Sequence, residues 1–151
     1  MVRTLIVLFA LGRVAAAGDT VTIDGNVLLA FFGPMVGGSL HYEHTFDPED
    51  GLTLRAQAEH GAFLDGGGFD TVFALVGYRH HWGALYLELE AGYFGMRHER
   101  AVGDFDDTEG VRWYHLPDGQ ITFGGRIGNV DLGVWTNIPA AGLGLHLGIA
   151  I

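Results

Sequence analysis

The sequence predicts an all-β fold, an eight-stranded antiparallel up-and-down transmembrane β-barrel. Three observations lead there. Apolar and polar residues alternate with a period of two in LTLRAQAEH (52–60) and ALYLELEAGYFG (84–95), the signature of a strand with two unlike faces. The chain opens on a segment built like an export signal, and no later stretch is apolar for the roughly 20 residues that a membrane helix needs. Glycine punctuates the alternating runs, with 25 in 151 residues against four prolines.

Leu, Ala, Arg, Gln and Glu dominate both alternating segments and favour helix by intrinsic propensity. Period decides against it. Leu52, Leu54, Ala56 and Ala58 fall on one side and Thr53, Arg55, Gln57 and Glu59 on the other, whereas a helix would place its apolar residues at i, i+3, i+4 and i+7.

Residues 1–17 read as a signal peptide: Arg3, an apolar run from Leu5 to Leu11, then small residues before Gly18. Residues 18–151 form the barrel domain. The first strand is VTIDGNVLLAFF (21–32) and the second SLHYEHTF (39–46), which turns through DPEDG (47–51) into 52–64. TVFALVGYRH (71–80) is apolar on both faces and joins 84–97 through a tight connection. A long polar loop at about 98–119 follows, within which VRWYH (111–115) is either a ninth strand or an extension. QITFGGRI (120–127), DLGVWTN (131–137) and AGLGLHLGIAI (141–151) complete the eight.

Parity then collects the polar residues on one face: Asp24, His41, Glu43, Arg55, Glu59, Arg79, Glu88, Glu90, Arg126, Asp131 and His146. If that face is outside, the protein is a soluble exported barrel with a greasy interior that binds a small apolar ligand. The last strand favours the opposite arrangement. Its polar-side positions are Gly142, Gly144, Gly148 and Ala150, a poor solubilising surface but a good fit to the crowded inside of an eight-stranded barrel. Phe46, Tyr78, Trp82, Tyr93 and Trp113, near strand ends, suit interfacial girdles. The inward face then carries six carboxylates against three arginines, and three negative charges lack an arginine; His41 and His146 share the same space.

The leader, the amphipathic strands and the short turns resemble the small outer-membrane β-barrel proteins of Gram-negative bacteria, of the OmpA-transmembrane-domain and OmpX type. The resemblance is architectural and covers most of residues 20–151; it departs from those proteins in ending on Ile151 rather than an aromatic residue. It implies a scaffold in the bacterial outer membrane, touching membrane lipid and lipopolysaccharide, with function in its loops or neighbours and an interior too full to be a general pore.

Composition restricts the chemistry. The absence of cysteine excludes a disulfide framework, a thiolate zinc site and a thiol nucleophile. A net charge of −10, with no lysine and eight arginines, gives no basic patch for nucleic acid. The single serine lies in SLHYE, where Ser39, His41 and Glu43 share a face and evoke a lipid A-modifying hydrolase. Neighbours on one strand face are about 6.6 Å apart, too far for a nucleophile and its base, which need roughly 3 Å. HYEH (41–44) and RHH (79–81) set adjacent histidines on opposite faces, so no metal site is expected, and no cofactor. GDFDDTEG (103–110) is an acidic loop without EF-hand spacing, fit at most for weak divalent cations.

Overall fold

The computed structural model describes residues 18–31, 33–63, 67–98, 112–138 and 141–151. Residues 1–17, residues 99–111 with the acidic stretch 103–110, and shorter pieces of three connections lie outside the described residues. Eight strands run β1 (Asp19–Ala30), β2 (Gly33–Thr45), β3 (Asp50–Ala62), β4 (Gly68–Trp82), β5 (Leu85–His98), β6 (Arg112–Ile127), β7 (Val130–Asn137) and β8 (Gly142–Ala150). Each pairs antiparallel with its neighbours in sequence, and β1 also pairs with β8, from Thr22 opposite Ala150 to Leu29 opposite Leu143, so the sheet is a closed barrel.

Strict alternation fixes the two faces. In β3 the burial pattern changes at every residue, as the period of two requires. The charged parity set faces inward: Arg55, Arg79, Glu43, Glu88 and Asp131 are each at most 3 % exposed, while Leu54, Leu85, Leu132 and Leu145 are about half exposed. The arrangement with a charged exterior and a greasy interior is thereby overturned.

The end that carries both β1's start and β8's finish has tight connections. Gly83 and Gly128 take positive φ of 64° and 60° in the turns after Trp82 and Ile127, a conformation that glycine adopts without a Cβ clash. At Asp47 the side chain caps the turn between β2 and β3 by accepting from the N–H groups of Glu49 and Asp50, 2.9 Å each.

Two strands begin well before the positions the sequence pattern predicts. β2 begins at Gly33 rather than 39, because Gly33, Pro34, Gly37 and Gly38 pair with β1 without breaking the ladder. The expected polar loop at 98–119 is shorter on its C-terminal side, since residues 112–119 belong to β6 and pair with β5 out to Arg112 opposite His98. VRWYH is thus an extension of β6, from Arg112 onward, and not a ninth strand. β7 pairs with β6 only from Gln120 to Ile127, so the β6 extension stands above it, with Trp113, Tyr114 and Leu116 all exposed.

The interior has two storeys. The half nearer the termini is ionic. The other half is packed with Leu28, Met35, Phe69 and Trp135, and beside them Phe73, Leu75 and Phe94. An interior filled only by arginines and carboxylates is therefore not what the chain builds. The apolar run at 71–80 has its reason here, because Phe73 and Leu75 point into the barrel while Val72 and Val76 point out.

Candidate functional site

The ionic storey assembles from every strand except β1, because each supplies inward side chains at the same level. Arg79 on β4 is its centre. Its guanidinium lies 3.2 Å from Glu43, 2.8 Å from Glu88 and 3.5 Å from Asp131, and stacks 3.8 Å above the Tyr86 ring. Arg55 donates to Glu88 at 2.9 Å and to both oxygens of Glu90. Arg126 reaches Asp131 at 2.9 Å and Glu43 at 3.3 Å, from a less buried position beside the last turn. His41 pairs with Glu88 at 2.8 Å, His146 with Asp131 at 3.0 Å, and His81 with Glu43 at 2.5 Å. Tyr86 donates its hydroxyl to Asp131.

Nine of the eleven residues drawn from parity belong to this cluster. The remaining two stand apart. Asp24 accepts from Ser39 at 2.9 Å, and Glu59 accepts from Gln57 at 2.8 Å; neither touches an arginine. Four carboxylates thus share three arginines and three imidazoles, and two of the three carboxylates in excess of arginine, Asp24 and Glu59, sit elsewhere in the barrel. His81 and Tyr86 extend the set. Their parity was legible, but His81 lay in a connection by the sequence pattern and Tyr86 carried no charge to draw attention. Asp118, buried and inward-facing on β6, fell in the stretch expected to be loop.

Chemically the cluster binds its own members. His41, Glu88 and Glu90 bring ligand atoms within 4.8 Å of one another, but the Arg55 guanidinium occupies both carboxylates, so a metal ion would have to displace a cation already bonded there. Ser39 is held by Asp24 and His41 by Glu88, so serine and histidine on β2 do not form a nucleophile–base pair. Outside the barrel, His44 pairs with Asp19 and His80 with Asp50, both at 2.6 Å, and Tyr78 donates to that same Asp50. The adjacent histidines point apart, as their parity requires: His41 is buried and His44 exposed.

No protein-family model matches the chain, and no curated protein matches it. Solved structures do share its fold. The N-terminal β-barrel domain of Pseudomonas aeruginosa OprF superposes with a TM-score of 0.61 at 13 % identity, over 87 % of this chain and 97 % of that one. Ail, the attachment invasion locus protein of Yersinia pestis, in complex with the heparin analogue sucrose octasulfate, gives 0.59 at 14 %, over 90 % and 100 %. Neisserial surface protein A gives 0.59 at 11 %, over 89 % and 95 %. The chain therefore has the closed eight-stranded architecture found in small outer-membrane barrels, the class that its strands and leader resemble.

Proposed function

We propose that this protein is a scaffold embedded in the bacterial outer membrane, closed to general solute flow, which acts through its loop-side surface or its neighbours and not as an enzyme. One observation carries this: aliphatic side chains stand exposed around the outside of the barrel, among them Leu29, Val36, Leu54, Val76, Leu89, Ile121, Leu132 and Leu145, while the charged residues are buried. A continuous apolar belt of that kind has no place in water and matches the lipid-facing band of a membrane barrel. The exposed aromatics Phe46 and Trp82 at the terminus end, and Tyr93 and Trp113 toward the other, suit the two interfaces.

On this proposal residues 1–17 direct export, and the partners are acyl chains along the belt with lipopolysaccharide headgroups above it. The loop-side rim supports that contact. His60 pairs with Asp70 at 2.8 Å, Arg97 approaches the same carboxylate, and Trp113 stacks on His115, so basic and aromatic groups stand where headgroups would meet the wall. The acidic stretch 103–110 would bridge to those headgroups through weakly held divalent cations.

The test is fractionation. The expected result is retention in carbonate-washed membranes, with a gel mobility that differs between unheated and boiled detergent samples. Recovery of folded protein in the soluble periplasm would instead support an exported soluble barrel. In planar bilayers the purified protein should show no large stable conductance, because the interior is filled by side chains.

A further inference from the structure

We propose that a furrow on the outer face of the barrel holds one acyl chain of a phospholipid from the terminus-side leaflet, as a discrete site distinct from the general lipid contact. This rests on the reading of the apolar belt as lipid-facing. The furrow has a volume of about 600 Å³, within the size range of ligand sites. One of its ridges is a single cross-strand row, Leu85–Gly125–Leu132–Leu147–Gly25. The other is the neighbouring outward row, Phe123–Val134–Leu145–Val27. Between them the floor is formed at Gly124, Gly133 and His146, positions that face the lumen and leave their backbone to the furrow.

The course of the furrow says which part of a membrane fills it. Leu85 opens β5 at the terminus end, paired with the exposed Trp82, an aromatic placed as at a membrane interface. Gly25 is the seventh of the twelve residues of β1, so the far end lies near mid-barrel. Four steps of about 4.8 Å between strands make the furrow roughly 19 Å long. Strands tilted by about 35–45° incline it, so that it climbs roughly 12 Å. That climb runs from the interface toward the middle of a hydrocarbon core about 30 Å thick, the depth that the chains of one leaflet occupy.

At this depth outside the barrel the surrounding medium is hydrocarbon. A flexible chain lying between two ridges touches the wall on three sides instead of one and gains dispersion contacts that a chain elsewhere on the belt lacks. A second copy fits less well. Two barrels upright in one membrane are related by an axis along its normal, so a facing ridge inclines the opposite way and crosses the furrow instead of lying in it. Among the described residues no Asp, Glu, Lys or Arg lines the furrow. Arg126, beside Gly125, turns to Asp131 and Glu43. The site therefore selects the chain and is indifferent to the headgroup.

The test is photolabelling. The full chain is refolded into phosphatidylethanolamine vesicles that carry a trace of phospholipid with a diazirine in one acyl chain, and labelled residues are mapped by mass spectrometry. Leu132 and Leu145 should take at least about fivefold more label than Leu52 and Leu89, the ratio that a preference of roughly 1 kcal/mol gives. All four are about half exposed on the outer face. A phosphatidylglycerol probe should give the same ratio. Gly25→Leu should bring Leu145 down to the level of Leu52 and Leu89, because a Cβ there has open space, with the Leu147 carbonyl oxygen 4.0 Å away. Ala91→Leu, at an exposed outer position of β5, should leave the pattern unchanged. The unmutated chain decides the matter even if a variant fails to fold. Label spread evenly around the belt would overturn the proposal and leave only general lipid contact. Furrow labelling that falls as the protein-to-lipid ratio rises would overturn it in favour of a second copy. A chain that takes no label anywhere along the belt would instead refute the membrane reading itself.

Discussion

Arg79 and Arg126 carry the same charge and share two partners, Glu43 and Asp131, yet they should differ sharply in what their loss does. The Arg79 guanidinium is 1 % exposed and that of Arg126 19 %. Removing Arg79 takes the central cation from Glu43, Glu88 and Asp131, which keep only Arg126, Arg55, the histidines and Tyr86 as partners, and breaking a buried ion pair by deleting one partner costs about 3–5 kcal/mol. Removing Arg126 leaves a gap beside the terminal turn that water can fill. Urea unfolding of refolded Arg79→Ala should therefore show much the larger fall in midpoint. Arg79→Lys should restore little of it, since an ammonium cannot bridge three carboxylates and stack on Tyr86 as a planar guanidinium does. Parity was enough to put both residues inside. It could not rank them, because depth along the axis depends on stagger between strands, and nothing in the alternation of YRHH or GGRI states which rung faces which.

At the scale of elements, the inward glycines of β8 give their neighbours room. A Cβ built on Gly144 would strike the Trp135 indole, and one on Gly142 would meet Leu28 at 2.7 Å. Gly144→Leu should accordingly displace Trp135, destabilise the barrel by about 1–3 kcal/mol as overpacked cores do, and shift the tryptophan emission of the refolded protein; Ala141→Leu, at an exposed turn, should do neither. The small residues in AGLGLHLGIAI announced this role, because they occupy every position of one face except His146. Other elements were less legible. The Gly33–Pro34 and Gly37–Gly38 pairs read locally as a turn, but β1 supplies a partner for each of those residues, and pairing overrides local preference. The β6 extension was equally hidden: RWYHLPDG contains Pro117 and exposes residues on both faces, so its strand character comes from the β5 ladder beside it. Asp118 was lost with it, although DGQIT repeats the polar–apolar alternation two residues earlier than the expected boundary.

For the whole molecule, the decisive property is which way round the two faces are, and a single charge can report it. Leu145 lies mid-strand on the outer face, and Ile127 borders the turn at the terminus end. In lipid, Leu145→Arg should cost about 2–4 kcal/mol and Ile127→Arg about 0–1, following the depth dependence of a bilayer. The measurement is unfolding in phospholipid vesicles. Equal and small effects would mean that this surface meets water. Eight strands and an inside-out amphipathic pattern were within reach of the sequence because every strand repeats them. The division of the interior was not, since Phe73, Leu75, Phe94 and Trp135 sit at inward positions that pattern alone reserves for polar groups.

The ladder between β1 and β8 has a consequence for how such a chain comes together. Seven of the eight seams join strands that follow one another, and each can zip as a hairpin soon after its residues are made. The eighth joins Thr22 to Ala150 and Leu29 to Leu143, across almost the full sequence, and loop closure over such a span comes late. Until it forms, the sheet is an open ribbon with two bare edges, one greasy side and one charged side. Edges of that kind recruit other chains. Assembly is therefore a race between the chain's own first and last strands and any neighbour with a free edge, and crowding before closure, more than any weakness of the finished ring, sets how much of it is lost to aggregation.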